Sequence, residues 1–76
     1  MVKVETHWIG TFGESQSVTT SELTDNGAAF YAENVNDSAR DFGRRVEIFQ
    51  TGPQSSVQCV YDSEGNIWRA IEYRQI

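Results

Sequence analysis

The sequence has one cysteine, Cys59, one proline, Pro53, and one histidine, His7. A lone cysteine excludes an internal disulfide and any cysteine-based metal site. Small secreted domains usually depend on several disulfides, so a reducing cytoplasm is the expected compartment. Cationic residues are scarce, six against eleven acidic ones, and the net charge is −5. Such a chain repels phosphate, so direct binding of DNA or RNA is not expected. A basic protein surface, of the kind that normally holds nucleic acid, is the better electrostatic match. No apolar run approaches the roughly 20 residues that cross a bilayer. Met1-Val2-Lys3-Val4-Glu5 leads straight into polar residues without a signal-peptide pattern. No membrane association is expected. A complete small gene product would start at Met1 in this way, and so would an excised domain given a methionine.

What is present fits one domain, residues 1–76. A chain of this length buries only about 60% of its unfolded surface, so its core is thin. Large rings compensate: Trp8, Trp68, Tyr31, Tyr61, Tyr73, Phe12, Phe30, Phe42 and Phe49 each bring much burial per residue.

Val2 to Trp8 alternates apolar and polar residues, the period of a half-buried strand. Gly10 and Gly13 bracket a loop that contains Phe12. Thr-rich Ser17 to Thr24 reads as a weaker strand. Asn26-Gly27 carries the turn signal of a tight hairpin, with Ala28 to Glu33 as the returning strand. Asn36 is placed to cap a short helix from about Asp37 to Arg44, with Asp37 at the positive end of its dipole. Val35, Ala39, Phe42 and Val46 follow at helical spacing. A longer helix to Gly52 is the alternative, opposed by the β-forming run Val46-Glu47-Ile48-Phe49. Thr51 to Gln54 is a turn, Ser56 to Tyr61 a strand, Asp62 to Asn66 a hairpin loop and Ile67 to Arg74 the last strand. The expected fold is therefore α+β, an antiparallel sheet with one short helix packed across it.

Catalytic chemistry has little to stand on. His7 would need a positioned partner such as Glu5 or Glu72, which no spacing demands. No nucleophile motif surrounds any serine. Asp62 to Asn66 lacks the span and closing glutamate of a calcium loop, and the Asn36-Asp37-Ser38 sequon has no meaning in a cytoplasmic chain. No catalytic residue, metal site or cofactor is expected. The arginines are more informative. Arg40 and Arg44 lie four apart, on one face of the expected helix, and Arg45 extends a cationic spot in an acidic protein. Trp68-Arg69 and Tyr73-Arg74 interleave rings and cations on the last strand. These are the residue types that dominate binding hot spots, and stacking of a single-stranded nucleic acid on them is the second reading. Trp68 is also expected in the core, because a core this thin needs its large rings.

Phe30-Tyr31-Ala32-Glu33-Asn34, then Ser38-Ala39-Arg40 with a basic helix end, then strands closing on Tyr61-Asp62-Ser63-Glu64-Gly65-Asn66-Ile67-Trp68, resembles small phage-encoded anti-CRISPR proteins. The layout is nearest to inhibitors of type I surveillance complexes. The resemblance implies a sheet-and-helix domain, monomeric or a small homo-oligomer, that works in the host cytoplasm. It implies docking on a Cas protein, itself a nucleic-acid-binding host protein, and steric blocking of target DNA. It also implies contact through Arg40, Arg44 and Arg45.

Overall fold

The computed structural model describes residues 1–9 and 15–76. The expected loop around Gly10, Phe12 and Gly13 lies outside the described residues. The elements are β1 (Val2–Ile9), β2 (Ser15–Leu23), α1 (Asp25–Asp41), β3 (Arg45–Gly52), β4 (Ser55–Tyr61) and β5 (Ile67–Gln75). The five strands of the described residues form one antiparallel sheet in the order β2-β1-β5-β4-β3. With one helix against that sheet the fold is α+β.

The segment after β2 departs from the sequence reading. Asn26-Gly27 does not turn a hairpin, and Ala28 to Glu33 is not a strand. Both belong to α1, which spans 17 residues instead of a short stretch after Asp37. Thr24 is the cap: its backbone is extended and its hydroxyl accepts from the Gly27 amide at 3.0 Å. Asp25 then lies in the positively polarised first turn. The buried residues Ala28, Val35 and Ala39, with half-buried Tyr31 and Ala32, repeat at intervals of three or four and form the stripe that faces the sheet. A local Asn-Gly preference is outweighed by a cap and an alanine-rich stripe with a sheet to bury it. Gly27 does not have positive φ, so the strain expected of a β-branched residue in a hairpin turn does not arise there. Asn36 is inside the helix, not at its start.

α1 ends at Phe42. Gly43 adopts φ +69°, its amide reaches the Arg40 carbonyl at 3.1 Å, and the Arg44 amide reaches that of Ala39 at 2.7 Å. This left-handed close satisfies two terminal carbonyls and throws the chain into β3. Of the expected apolar stripe, Val35 and Ala39 face the core from α1, Phe42 is exposed, and Val46 reaches the core from β3 and not from a helix.

The topology dictates how the helix lies. β2 and β3 are the two opposite edges of the sheet, about 19 Å apart across four strand spacings. The chain leaves β2 beside Val2, at one end of the sheet, and enters β3 beside Tyr61, at the other. α1, about 25 Å long at its 17 residues, therefore crosses the sheet as a diagonal. Val2, Val4, Val60 and Ile71 pack beneath it, with Leu23, Val46 and Tyr73 around them. The opposite face of the sheet carries Lys3, Glu5 and His7 of β1 and Cys59 of β4. Burial pushes the Cys59 thiol up from its ordinary pKa.

Replacing Thr24 tests the start of α1. Thr24→Ala should lower stability by about 1 kcal/mol, a fall of roughly 4–8 °C in Tm for a domain of this size. Thr24→Ser should keep most of it. Thermal unfolding followed by circular dichroism measures both, and an unchanged Tm for Thr24→Ala would return the segment to a hairpin.

Candidate functional site

A diagonal helix leaves a corner of the sheet uncovered. Beside the first half of α1, the end of the β3–β4 hairpin stands clear of the helix. The wedge between them is a cleft of about 460 Å3. Its walls are the small residues Ala28, Ala29 and Ala32 on one side and Ile48, Pro53 and Tyr73 on the other. Among the described residues no lining side chain is charged, and the polar ones are neutral amides and hydroxyls, among them Gln50, Gln54, Gln58 and Gln75. Beyond Ile48 the wedge opens into a second concavity of about 470 Å3, lined by Asn36, Arg40, Arg44, Val46 and Ile48. One groove thus runs between α1 and β3, uncharged at one end and cationic at the other.

Gln58 forms its floor. The side chain is buried at 1% exposure. Its Nε2 donates to the Ala32 carbonyl at 3.0 Å and to Asn36 Oδ1 at 2.8 Å, and its Oε1 accepts from the Tyr73 hydroxyl at 2.7 Å. Three elements are joined by one amide with both N–H groups used. Burial, with the nearby Tyr31 hydroxyl adding to it, raises the Tyr73 pKa far above the ordinary phenol value.

The cationic end has its own support. β5 carries a bulge opposite β4: Val60 pairs with Arg69 and Tyr61 with Ile67, so Trp68 is the extra residue. A bulge breaks strict alternation, and Trp68 and Arg69, adjacent in sequence, both turn toward the helix side. Trp68 meets Trp8 edge-on, with ring centroids 5.6 Å apart. The Arg69 guanidinium lies 4.2 Å from the Trp8 ring centre and donates to the Tyr31 hydroxyl, which Thr6 Oγ1 also meets at 3.3 Å. Arg44 lies 4.1 Å over the Trp68 ring and 5.2 Å from that of Phe42. Two guanidinium groups are thus set among the rings of one row, Arg69 between Tyr31 and Trp8 and Arg44 between Trp68 and Phe42. Each face contact between ring and guanidinium contributes about 0.5–2 kcal/mol.

The expected binding residues separate accordingly. Arg40 and Arg44 do meet, but in a concavity and not on one helix face, because α1 stops before Arg44. Arg40 is exposed and paired with Asp37 at 3.2 Å. Arg44 is half-buried, and no ion pair holds it among the described residues. Arg45 lies on the other face of the sheet, over the Tyr61 ring at 4.5 Å and 3.5 Å from Glu47. Trp68, Arg69 and Tyr73 are half-buried on the helix side, whereas Arg74 points to the opposite face beside Glu72 at 3.6 Å. Strand alternation separates Tyr73 from Arg74, so the four residues of β5 do not form one stacking surface.

His7 has the partner that its spacing did not demand: Nε2 lies 2.7 Å from Glu5 Oε1, and Glu72 stands directly across from Glu5. This pair lies on the face away from the groove. Among the described residues no three His, Cys, Asp or Glu side chains are grouped to hold a metal ion, and no helix is long and apolar enough to cross a membrane. The wedge and the role of Gln58 escaped sequence reasoning. The one available signal was a polar residue among the apolar positions of Val57-Gln58-Cys59-Val60. Compared with known proteins, the chain matches no family model, no curated protein and no solved structure.

Tyr73 makes stability fall at alkaline pH. Its pKa is raised in the folded protein, so the stability that depends on the neutral phenol is complete below about pH 10. Above that the unfolded chain releases the proton first, and stability declines as pH rises toward the folded-state pKa. Tyr73→Phe should be less stable at neutral pH, by about 1–3 kcal/mol, because Gln58 Oε1 loses its donor. It should also show a shallower alkaline decline. Urea unfolding at a series of pH values measures both.

Proposed function

We propose that the chain is a protein-binding module of the inhibitor or adaptor kind, acting without catalysis, and that it docks through the groove between α1 and β3. The observation that carries this reading is the groove itself: an uncharged cleft of about 460 Å3 continuing into a pair of arginines. Binding sites are concave and mostly apolar, with a few convergent polar groups. Arg44, backed by the Trp68 ring, is held ready to present its guanidinium edge, and a stacked arginine loses less freedom on binding than a free one. Arg40 releases its exposed partner Asp37 cheaply, since such pairs contribute roughly 0–1 kcal/mol.

The sharpest form of the proposal is a phage antagonist of bacterial immunity that docks on a Cas protein and blocks target DNA. Its support is the sequence resemblance. The likeness in Phe30 to Asn34 falls on α1, whose second half supplies Arg40 to the groove. Sheet-based stacking on single-stranded nucleic acid has weaker support, because Trp68, Arg69 and Tyr73 are half-buried on the helix side of the sheet.

The test is an affinity pull-down from bacterial lysate containing a type I surveillance complex, repeated with groove variants. Arg44 is half-buried against Trp68, so reversing its charge would disturb folding as well as binding. Ala29→Arg and Ile48→Glu are cleaner, because both residues are exposed. Each should change stability by less than about 1 kcal/mol and abolish capture of the partner. Capture undiminished by both would exclude the groove.

Catalysis is tested separately. His7→Ala should leave biological activity within a few-fold of the parent protein. A loss of roughly 10²–10⁴-fold, typical of removing a general base, would make the His7–Glu5 pair the working site instead.

A further inference from the structure

The outer edge of β3 identifies the shape of the occupant. Among the described residues the sheet order ends at β3, so one side of its backbone has no strand partner there. Protein edges are usually guarded by charged side chains, proline or bulges. β3 is poorly guarded where it borders the groove. Val46, Ile48 and Gln50 face the helix side, and the bulge comes only at the strand's end, between Gln50 and Gly52. Ile48 is 61% exposed on one face of this edge and Phe49 is 46% exposed on the other. β2, the opposite edge, instead presents Ser17, Thr19 and Ser21 toward the helix side. An added strand along β3 would cover Ile48 and Phe49 at once and satisfy the free backbone groups.

Charge selects what that strand carries. Arg40 and Arg44 border the same edge, in a protein of net charge −5. A second copy pairing through its own β3 would bring Val46, Ile48 and Gln50 to the groove side, and none is anionic. It would leave both guanidinium groups without a counter-charge. An extended segment with a carboxylate side chain, or a free C-terminal carboxylate, supplies one in the two-pronged geometry that arginine favours.

We infer that the groove takes an extended, acid-bearing peptide segment of the partner, which adds to β3 as a sixth strand and sets an apolar side chain in the wedge over Ile48 and a carboxylate between Arg40 and Arg44. The inference rests on the groove being the docking site. It adds main-chain pairing as the source of affinity and alternate side chains as the source of specificity.

The probe is a display library of random twelve-residue peptides selected on the intact protein. Recovered peptides should share an apolar residue followed or preceded at short range by Asp or Glu. A selected peptide, followed by fluorescence anisotropy, should bind Arg40→Glu at least roughly ten-fold more weakly, with affinity restored when its acid is changed to lysine. Hydrogen exchange should show new protection of β3 amides in the complex. Peptides without acids, or binding that Arg40→Glu does not alter, would overturn the inference. So would a concentration-dependent dimer that Ile48→Glu dissolves, which would mean that a second copy closes the edge. The pull-down separates this failure from that of the broader reading. Partner capture that needs Ala29 and Ile48 but not Arg40 keeps the groove and removes the acid-bearing strand. Capture that needs none of them removes both.

Discussion

Gln58 is the contact on which the arrangement depends. A buried amide with an unmet N–H or carbonyl costs about 1–3 kcal/mol, so Gln58 tolerates only backbone positions that give it partners. Those partners are Ala32 and Asn36 on α1 and Tyr73 on β5. Ala32 and Asn36 are one helical turn apart, so the amide fixes both the height of the helix above β4 and its rotation about its own axis. Apolar contacts among Val35, Ala39, Val60 and Ile71 reward burial without specifying direction. The hydrogen bonds at Gln58 specify it.

Given that anchor, the groove follows from connectivity. A helix that joins opposite edges of a sheet must cross all its strands, and it cannot also cover every corner. Here the chain starts α1 beside the Val2 end of β1 and finishes beside the Tyr61 end of β4, so the β3–β4 hairpin end is left uncovered. The alanines at 28, 29 and 32 keep the helix wall of that corner low. Larger side chains there would fill the wedge. The cleft is thus a consequence of topology and of small residues at particular turns of α1, closed at one end by the Pro53-Gln54 turn.

The row of rings and cations solves a different problem. A thin core leaves several large aromatics half-wet, and the domain must also accommodate Arg44 and Arg69 next to them. Stacking accommodates both, because a guanidinium covers a ring face, with the Arg69 Nη2 edge still donating to Tyr31. The bulge at Trp68 makes this possible by turning two consecutive side chains to the same side. The result, among the described residues, is a cationic corner in an acidic protein, at the end of an uncharged groove and beside the edge strand β3.

The sequence by itself determined the α+β class, the strands β1, β2, β4 and β5 and the loop from Asp62 to Asn66. Period-two alternation and turn residues act over a few positions, so they are readable without knowing what lies above the sheet. Asn26-Gly27 shows the limit of such reading. Its local preference suits a hairpin, yet Ala28, Tyr31, Val35 and Ala39 gain more by facing β1, β4 and β5 as one helical stripe, which only the assembled sheet can offer. The same holds for Trp68, whose side of the sheet depends on one extra residue in β5. Tertiary structure alone decided that β2 and β3 are opposite edges, and with that the diagonal of α1, the wedge at Gln58 and the open edge of β3, because strand order depends on pairings distant in sequence that no local pattern encodes.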